Sequence, residues 1–207
     1  MDKERGVKLK RVFIITFMTL FIDQLSKILV KTNMRLGESI EITDWFHISF
    51  LENNGMAFGM EFFDKIFLTL FRIIAVAALF YIIDQTIKRK YDFGFTVGIT
   101  LIFAGALGNI IDCLFYGIIF DSSAGQVATL FPEEGYGSLF YGKVVDMLYF
   151  PLIEGTFPDW FPFNAGESFV FFHPVFNIAD SAITIGVFYI LIFLHIPLHF
   201  FRFVCGL

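Results

Sequence analysis

The segment Phe176-Asn177-Ile178-Ala179-Asp180-Ser181 opens the last long apolar run of the sequence, which continues through Ile183 to Leu194. If that run crosses a bilayer, Asp180 places a carboxylate at the membrane edge, an expensive position for a charge and by default a functional one. Asn177 is suited to cap the helix, because its side-chain oxygen can accept from a backbone N–H that has no partner in the first turn. Asp180 then becomes a first-turn acid at the positive end of the helix macrodipole, which favours the ionised form. An Asn-x-x-Asp pair also serves as a plain helix start with no chemistry attached.

Other polar residues converge on the same depth. Asp112 ends the run Gly105-Ala106-Leu107-Gly108-Asn109-Ile110-Ile111-Asp112, and Asp146 sits in Gly142-Lys143-Val144-Val145-Asp146-Met147. Asp23 and Lys27 share one helix face at i, i+4, and Asn53 and Asn177 fall at the same level. Two of these carboxyls could form an aspartyl dyad. Peptide hydrolysis without metal, Ser or Cys requires one carboxylate to take a proton from water and a protonated carboxyl to polarise the scissile carbonyl. Two carboxyls in contact share a proton and titrate as a pair. The helix-start position assigns the ionised role to Asp180 and leaves Asp146 to carry the proton. Plainer roles exist for each residue. Asp23 and Lys27 can neutralise one another, and Asn109 and Asp112 can bond helices together. Asp146 can be an exposed loop acid and Lys143 a solvated surface charge.

The elements that must position these groups are membrane-spanning. Of 207 residues, 57% are hydrophobic, 17% are charged and 31 are Phe, with mean hydropathy +0.72. A soluble domain of this size could not cover that much apolar surface, so composition excludes soluble peptidase and nucleic-acid roles. Spans are expected at about 12–31, 67–84, 95–116 and 177–200, each near the ~20 residues a helix needs to cross ~30 Å of hydrocarbon. The first carries Asp23 and Lys27, exceeds a signal-peptide h-region and lacks a small-x-small cleavage site, so it reads as permanent. Gly98, Gly105 and Gly108 in the third span allow close approach of another helix.

Between spans, Ile40-Glu41-Ile42 and Phe46-His47-Ile48-Ser49-Phe50 alternate like half-buried strands, which suggests a small sheet at the membrane surface. Segment 117–176 is aromatic and polar, and too interrupted by Gly and Pro to span. Basic residues cluster before the first span, at Lys88-Arg89-Lys90, and at Arg202. The positive-inside rule then puts both termini in the cytoplasm and segments 32–66 and 117–176 outside. Cys113 and Cys205 are the two cysteines. They fall at opposite faces of the membrane, so neither a disulfide nor a metal-ligand set is expected.

Taken in order, Asp23-Gln24-x-x-Lys27, Asn53-x-Gly55-x-Ala57-Phe58, Gly105-Ala106-Leu107-Gly108-Asn109-x-x-Asp112, Val144-Val145-Asp146 and Phe176-Asn177-x-Ala179-Asp180-Ser181-Ala182 resemble the motifs of the lipoprotein signal peptidase (signal peptidase II) family. Singly each is weak; five in series are specific. The resemblance implies an all-α membrane protein with four transmembrane helices, a small periplasmic β-cradle and an extended periplasmic segment between helices three and four. It implies a cofactor-independent aspartyl endopeptidase of the bacterial inner membrane that removes signal peptides from prolipoproteins, cutting before a diacylglyceryl-modified Cys. Asp146 and Asp180 match the catalytic pair, while Asp23, Lys27, Asn53, Asn109, Asp112 and Asn177 match residues that support the site or contact substrate. Membrane lipid and antibiotics of the globomycin type are the other implied ligands.

Two departures stand out. The family usually has Arg after the Asp of the third-span motif, where this chain has Cys113, so Lys143 or another group must substitute or the substrate is held differently. Residues 118–141 look like an insertion, expected to be flexible around Gly125, Gly135 and Gly137 and to act as a lid or an added substrate contact. The competing class is a proton-coupled small-molecule transporter, since acids within spans also suit proton relays. Against it, the chain is short, shows no internal duplication, and gathers its acids at one interface.

Overall fold

The structure, a computed structural model, describes residues 3–53, 65–151, 153–156, 158, 160, 166–171 and 174–193. Helices α1 (Lys3–Asn33), α2 (Lys65–Lys88) and α3 (Phe93–Ile119) are each long and apolar enough to cross a membrane, and α4 is described over Ile178–Phe193. Helix α3 is central and packs against the other three. Three strands, β1 (Ser39–Thr43), β2 (Phe46–Asn53) and β3 (Val144–Tyr149), form an antiparallel sheet in that order, and β4 (Ile153–Thr156) pairs with β5 (Ser168–Phe171) as a separate hairpin.

Helix α1 is apolar outside and charged inside. Along α1, Phe13, Phe17, Phe21, Leu25 and Leu29 form an exposed i, i+4 ridge, with successive Phe rings stacked 6.1 Å apart, while Asp23, Lys27 and Lys31 are buried. Water would penalise that ridge and lipid does not. Helix α1 also starts well before Val12. Its basic end stays helical because Lys8 pairs with Glu4 at i, i+4 and donates to the Tyr91 carbonyl, and Arg11 lies over the Phe93 ring. The expected continuation of the fourth span through residues 194–200 lies outside the described residues, as do Cys205 and the Gly55-x-Ala57-Phe58 part of the second motif.

Glycine sets the approach of α4 to α3. A Cβ on Gly105 would lie 2.2 Å from the Ala179 carbonyl oxygen, and one on Gly108 would lie 2.7 Å from Asp23 Oδ2. The α4 backbone at Gly105 and the Asp23 carboxyl of α1 at Gly108 leave no room for a side chain at either position.

The β1–β2 strands fall where the alternating pattern put them, with Ser39 opposite Ser49 and Ile40 opposite Ile48. Strand β3 did not emerge from the sequence. It lies in a stretch judged by its Gly and Pro content, although Val144-Val145-Asp146-Met147-Leu148-Tyr149 carries the β-branched and aromatic bias of a strand. Its pairing with β2 sets Leu51 opposite Asp146, Glu52 opposite Val145 and Asn53 opposite Val144.

The expected flexibility of 118–141 is not what the structure has. Phe120 and Ala128 are buried in one core with Val30, Met34, Phe50, Tyr116, Val145 and Met147. Backbone N–H groups of Phe131, Tyr136 and Gly137 donate to the carbonyls of Ile119, Phe120 and Gly117 at 2.8, 2.9 and 2.9 Å. Apolar burial and backbone bonding outweigh the freedom of its glycines, and the segment is packed between α1, α3 and the sheet.

Candidate active site

Asn177 and Asp23 cap α4 together. The Asp180 N–H donates to Asn177 Oδ1 at 2.9 Å and the Ala179 N–H donates to Asp23 Oδ1 at 2.9 Å, so two first-turn donors are satisfied, one of them from α1. The cap also fixes which way the Asn177 amide points. A backbone N–H can only donate, so Oδ1 faces it, and Nδ2 donates to Asp146 Oδ1 at 2.8 Å.

The same logic orients Asn109. Lys27 is fully buried, and its three N–H donors reach Asp23 Oδ2 at 2.9 Å, Asp112 Oδ2 at 2.7 Å and Asn109 Oδ1 at 3.0 Å. An ammonium has no acceptor, so Asn109 must present oxygen to Lys27 and its amide N–H2 elsewhere. That group donates to Asp180 Oδ1 at 2.8 Å. Asn177 Nδ2 also reaches Asn109 Oδ1 at 3.2 Å, linking the two amides. Asp146 receives a second amide, from Asn53 Nδ2 to Oδ2 at 3.4 Å. All eight residues singled out from the sequence therefore fall in one hydrogen-bonded group drawn from α1, β2, α3, β3 and α4.

Asp146 is not an exposed loop acid: the residue is 6% accessible. Burial, then the neighbouring Asp180 charge, raise its carboxyl from the ordinary 3.8 to about 7, against the opposing amides of Asn177 and Asn53 and the Lys27 charge. The carboxyl is thus partly protonated near neutral pH. Asp180 is half-buried, with one oxygen held by Asn109. The two carboxyls are thus joined through the Asn177 and Asn109 amides, one buried on β3 and one half-buried at the start of α4.

Gln24 and Tyr116 had no role assigned from the sequence. Gln24 Nε2 donates to Asp112 Oδ1 at 2.8 Å, to Asp23 Oδ2 at 3.1 Å and to the Gly108 carbonyl at 3.2 Å, and Tyr116 OH donates to Gln24 Oε1 at 3.2 Å. Gln24 stands next to Asp23 in the first motif, and that adjacency was the available signal. Lys143 is not simply solvated. Its side chain is 38% exposed and Nζ lies 3.0 Å from Glu52 Oε2. Cys113 is buried, and Arg72 Nη1 on α2 donates to its Sγ at 3.2 Å.

The family model for signal peptidase (SPase) II matches residues 15–196. A lipoprotein signal peptidase of Porphyromonas gingivalis is 54% identical over 175 residues, which are 84% of this chain and 77% of that protein. Proteins of the same name from Amoebophilus asiaticus and Staphylococcus aureus are 39% and 32% identical, over 84% and 87% of this chain and 72% and 85% of theirs. Two solved structures of bacterial membrane enzymes superpose with TM-scores of 0.60 each, at 27% and 28% identity, covering 88% and 91% of this chain and 86% and 94% of theirs. With a match over most of its length and polar groups gathered where the motifs lie, the chain belongs to the signal peptidase II family.

Proposed function

We propose that this protein is a membrane aspartyl endopeptidase that removes the signal peptide from diacylglyceryl-modified prolipoproteins, cutting just before the lipidated Cys, with Asp146 and Asp180 as the catalytic pair. The observation that supports it is the link between them through two amides. Two acids from separate elements, a strand and a helix start, are tied through Asn177 and Asn109, and the charge of one raises the pKa of the other.

The chemistry follows from the protonation state. Asp146 holds the proton and donates to the scissile carbonyl oxygen, while Asp180, at the positive end of α4, takes a proton from the attacking water. The water oxygen adds to the carbonyl carbon to give a gem-diol. Asp180 then gives its proton to the leaving nitrogen while Asp146 takes one from a gem-diol hydroxyl; the C=O re-forms, the C–N bond breaks, and Asp146 is protonated and Asp180 ionised again. Lys27, Asp23 and Asp112 hold Asn109 and the α4 cap in place and touch no reacting atom.

Three helices long and apolar enough to cross a membrane and a shorter apolar α4 support a membrane enzyme. The topology that goes with this reading has four spans, both termini cytoplasmic and segments 32–66 and 117–176 outside, so that the pair would meet a lipidated Cys at the outer leaflet with the sheet as a cradle beside it. Arg72 brings a guanidinium to Cys113, and we place there the cation that the family pattern leads one to expect on α3. Globomycin-type peptides would compete for this site.

The test is cleavage of a diacylglyceryl prolipoprotein by the purified protein. Asp146→Asn and Asp180→Asn should each lower the rate by about 10²–10⁴-fold, as loss of an acid–base group does. Retention of wild-type turnover by either variant ends the dyad.

A further inference from the structure

Behind the active-site strand lies a second buried ionic group that the peptidase chemistry does not use. Lys31 near the end of α1 is fully buried, and its Nζ bonds Glu52 Oε1 and donates to Ser123 Oγ at 2.7 Å. Ser123 in turn donates to the same Glu52 oxygen at 2.8 Å. The other Glu52 oxygen accepts from Lys143 Nζ at 3.0 Å, and the Lys143 backbone N–H donates to Tyr136 OH at 2.7 Å. Rings of Phe50, Phe120 and Tyr136 stand 5.7, 5.2 and 5.0 Å from Lys31 Nζ.

The position of this group gives it leverage. Glu52 and Asn53 are neighbours on β2, so their side chains leave opposite faces of the strand. Glu52 shares its face with Phe50, against the core that also holds Val145 and Met147. Asn53 points the other way, to Asp146. Lys143 sits just before β3, three residues ahead of Asp146. One carboxylate thus joins α1 to the end of β2 and the start of β3, directly behind the Asn53–Asp146 contact. The surrounding core is apolar, and an apolar set of similar volume would hold sheet to helix at least as well without desolvating charge. What the ionic group adds is one fixed geometry.

We propose that the Lys31–Glu52–Lys143 clasp, closed by Ser123 from the 118–141 segment, is a positioning device for the reaction: it fixes the end of β2 so that the Asn53 amide meets Asp146. The inference rests on the dyad function above. It also gives 118–141 a role opposite to that of a mobile lid. Lys31, Glu52, Ser123 and Lys143 are positioning residues, and none touches the reacting atoms.

The expected signature is in the pH profile. The charges that bear on Asp146 are Asp180 from α4 and Lys27 from α1; Lys27 is itself held by Asp23 and Asp112, and Asp112 Oδ2 accepts from the Val145 N–H beside Asp146. None is changed by altering the clasp. Asn53 favours the ionised form of Asp146, so its withdrawal lets the Asp146 proton persist to higher pH, and the alkaline limb of kcat moves up. Lys31→Met should lower kcat by roughly threefold to tenfold, as loss of one aligned hydrogen bond does, and should shift that limb. Lys31→Arg should restore most of both. Ser123→Ala carries no charge change and should move the limb the same way by a smaller amount, which separates positioning from the field of Lys31. It also carries the test if Lys31→Met does not fold.

The decisive comparison is a double-mutant cycle on the purified full chain cleaving a diacylglyceryl prolipoprotein. Once Asn53→Ala is present, adding Ser123→Ala or Lys31→Met should cost little more. Losses that multiply independently, or a lowered melting temperature with an unmoved pH profile, overturn the proposal. If Asp146→Asn is inactive while the clasp and Asn53 act independently, the clasp alone is wrong; if Asp146→Asn retains turnover, the dyad on which it rests is wrong.

Discussion

Lys27 and Lys31 sit one turn apart on the same face of α1, both fully buried, and they do opposite work. Lys27 is one cation between two carboxylates, Asp23 and Asp112, and its third donor turns an amide toward Asp180. Around Lys31 the ratio is inverted, with one carboxylate, Glu52, between Lys31 and Lys143. The first group joins helices to helices at the acid pair; the second joins a helix to strands and to the 118–141 segment behind it. A buried charge is tolerated only when its partners are near and aligned. The contrast shows two ways of meeting that demand, one with every donor used and one with a partner left half exposed.

Removing each lysine should expose the difference. Lys27→Met leaves Asp23 and Asp112 buried and facing each other without a cation, and should cost about 3–5 kcal/mol with loss of cleavage. Thermal unfolding in detergent, read beside turnover, checks it. An equal cost for Lys31→Met would erase the distinction, since there Glu52 keeps Lys143 and Ser123; about 1–3 kcal/mol is expected.

Asp146→Asn should separate stability from activity. Its carboxyl is raised from 3.8 to about 7, so its favourable contribution is complete below the unfolded value and is lost as pH rises through the folded one. The neutral amide avoids that loss. The variant should therefore be inactive yet gain on the order of 2–3 kcal/mol more, relative to wild type, at pH 8 than at pH 5. Parallel stability curves for the two proteins would remove the buried-acid account. Glu52 runs the other way. Burial pushes its carboxyl up, but Lys31, Lys143 and Ser123 outweigh that and hold it below its ordinary 4.5. Its contribution is present above that value and is lost as pH falls through the depressed one. Lys31→Met should therefore flatten the acid side of the stability curve.

The smallest expected effect concerns Arg72. Arg72→Gln should lower kcat/KM by about tenfold, the scale of one charge-assisted bond, and adding Cys113→Arg should recover part of it by returning a guanidinium to the same place. Failure of that rescue, with the double variant folded, would move the Arg72 contribution away from Cys113.

Hydropathy made the apolar helices legible, and local spacing made the Asp23–Lys27 pair and the Asn177 cap legible. These are contacts within one helix or one turn, and their geometry is set by 3.6 residues per turn. Strand β3 was hidden because a strand is defined by its partner, and the partner of Val144–Tyr149 lies across α2 and α3 in sequence. The Lys31 clasp was hidden for the same reason. Nothing local marks Lys31, Glu52 and Ser123 as neighbours, and Gly125, Gly135 and Gly137 made their segment look loose.

By itself the sequence determined that this chain has membrane-spanning helices, that Asn177 caps the last of them, and which acids and amides to examine as a site, because burial of apolar surface and first-turn capping are decided over a few residues. Only the tertiary structure decided the direction of each amide, the bridging of Asp146 to Asp180 through Asn177 and Asn109, and the packing behind β2. Those depend on donors and acceptors brought together from distant segments, and a buried polar group takes its orientation from whichever partner can satisfy it.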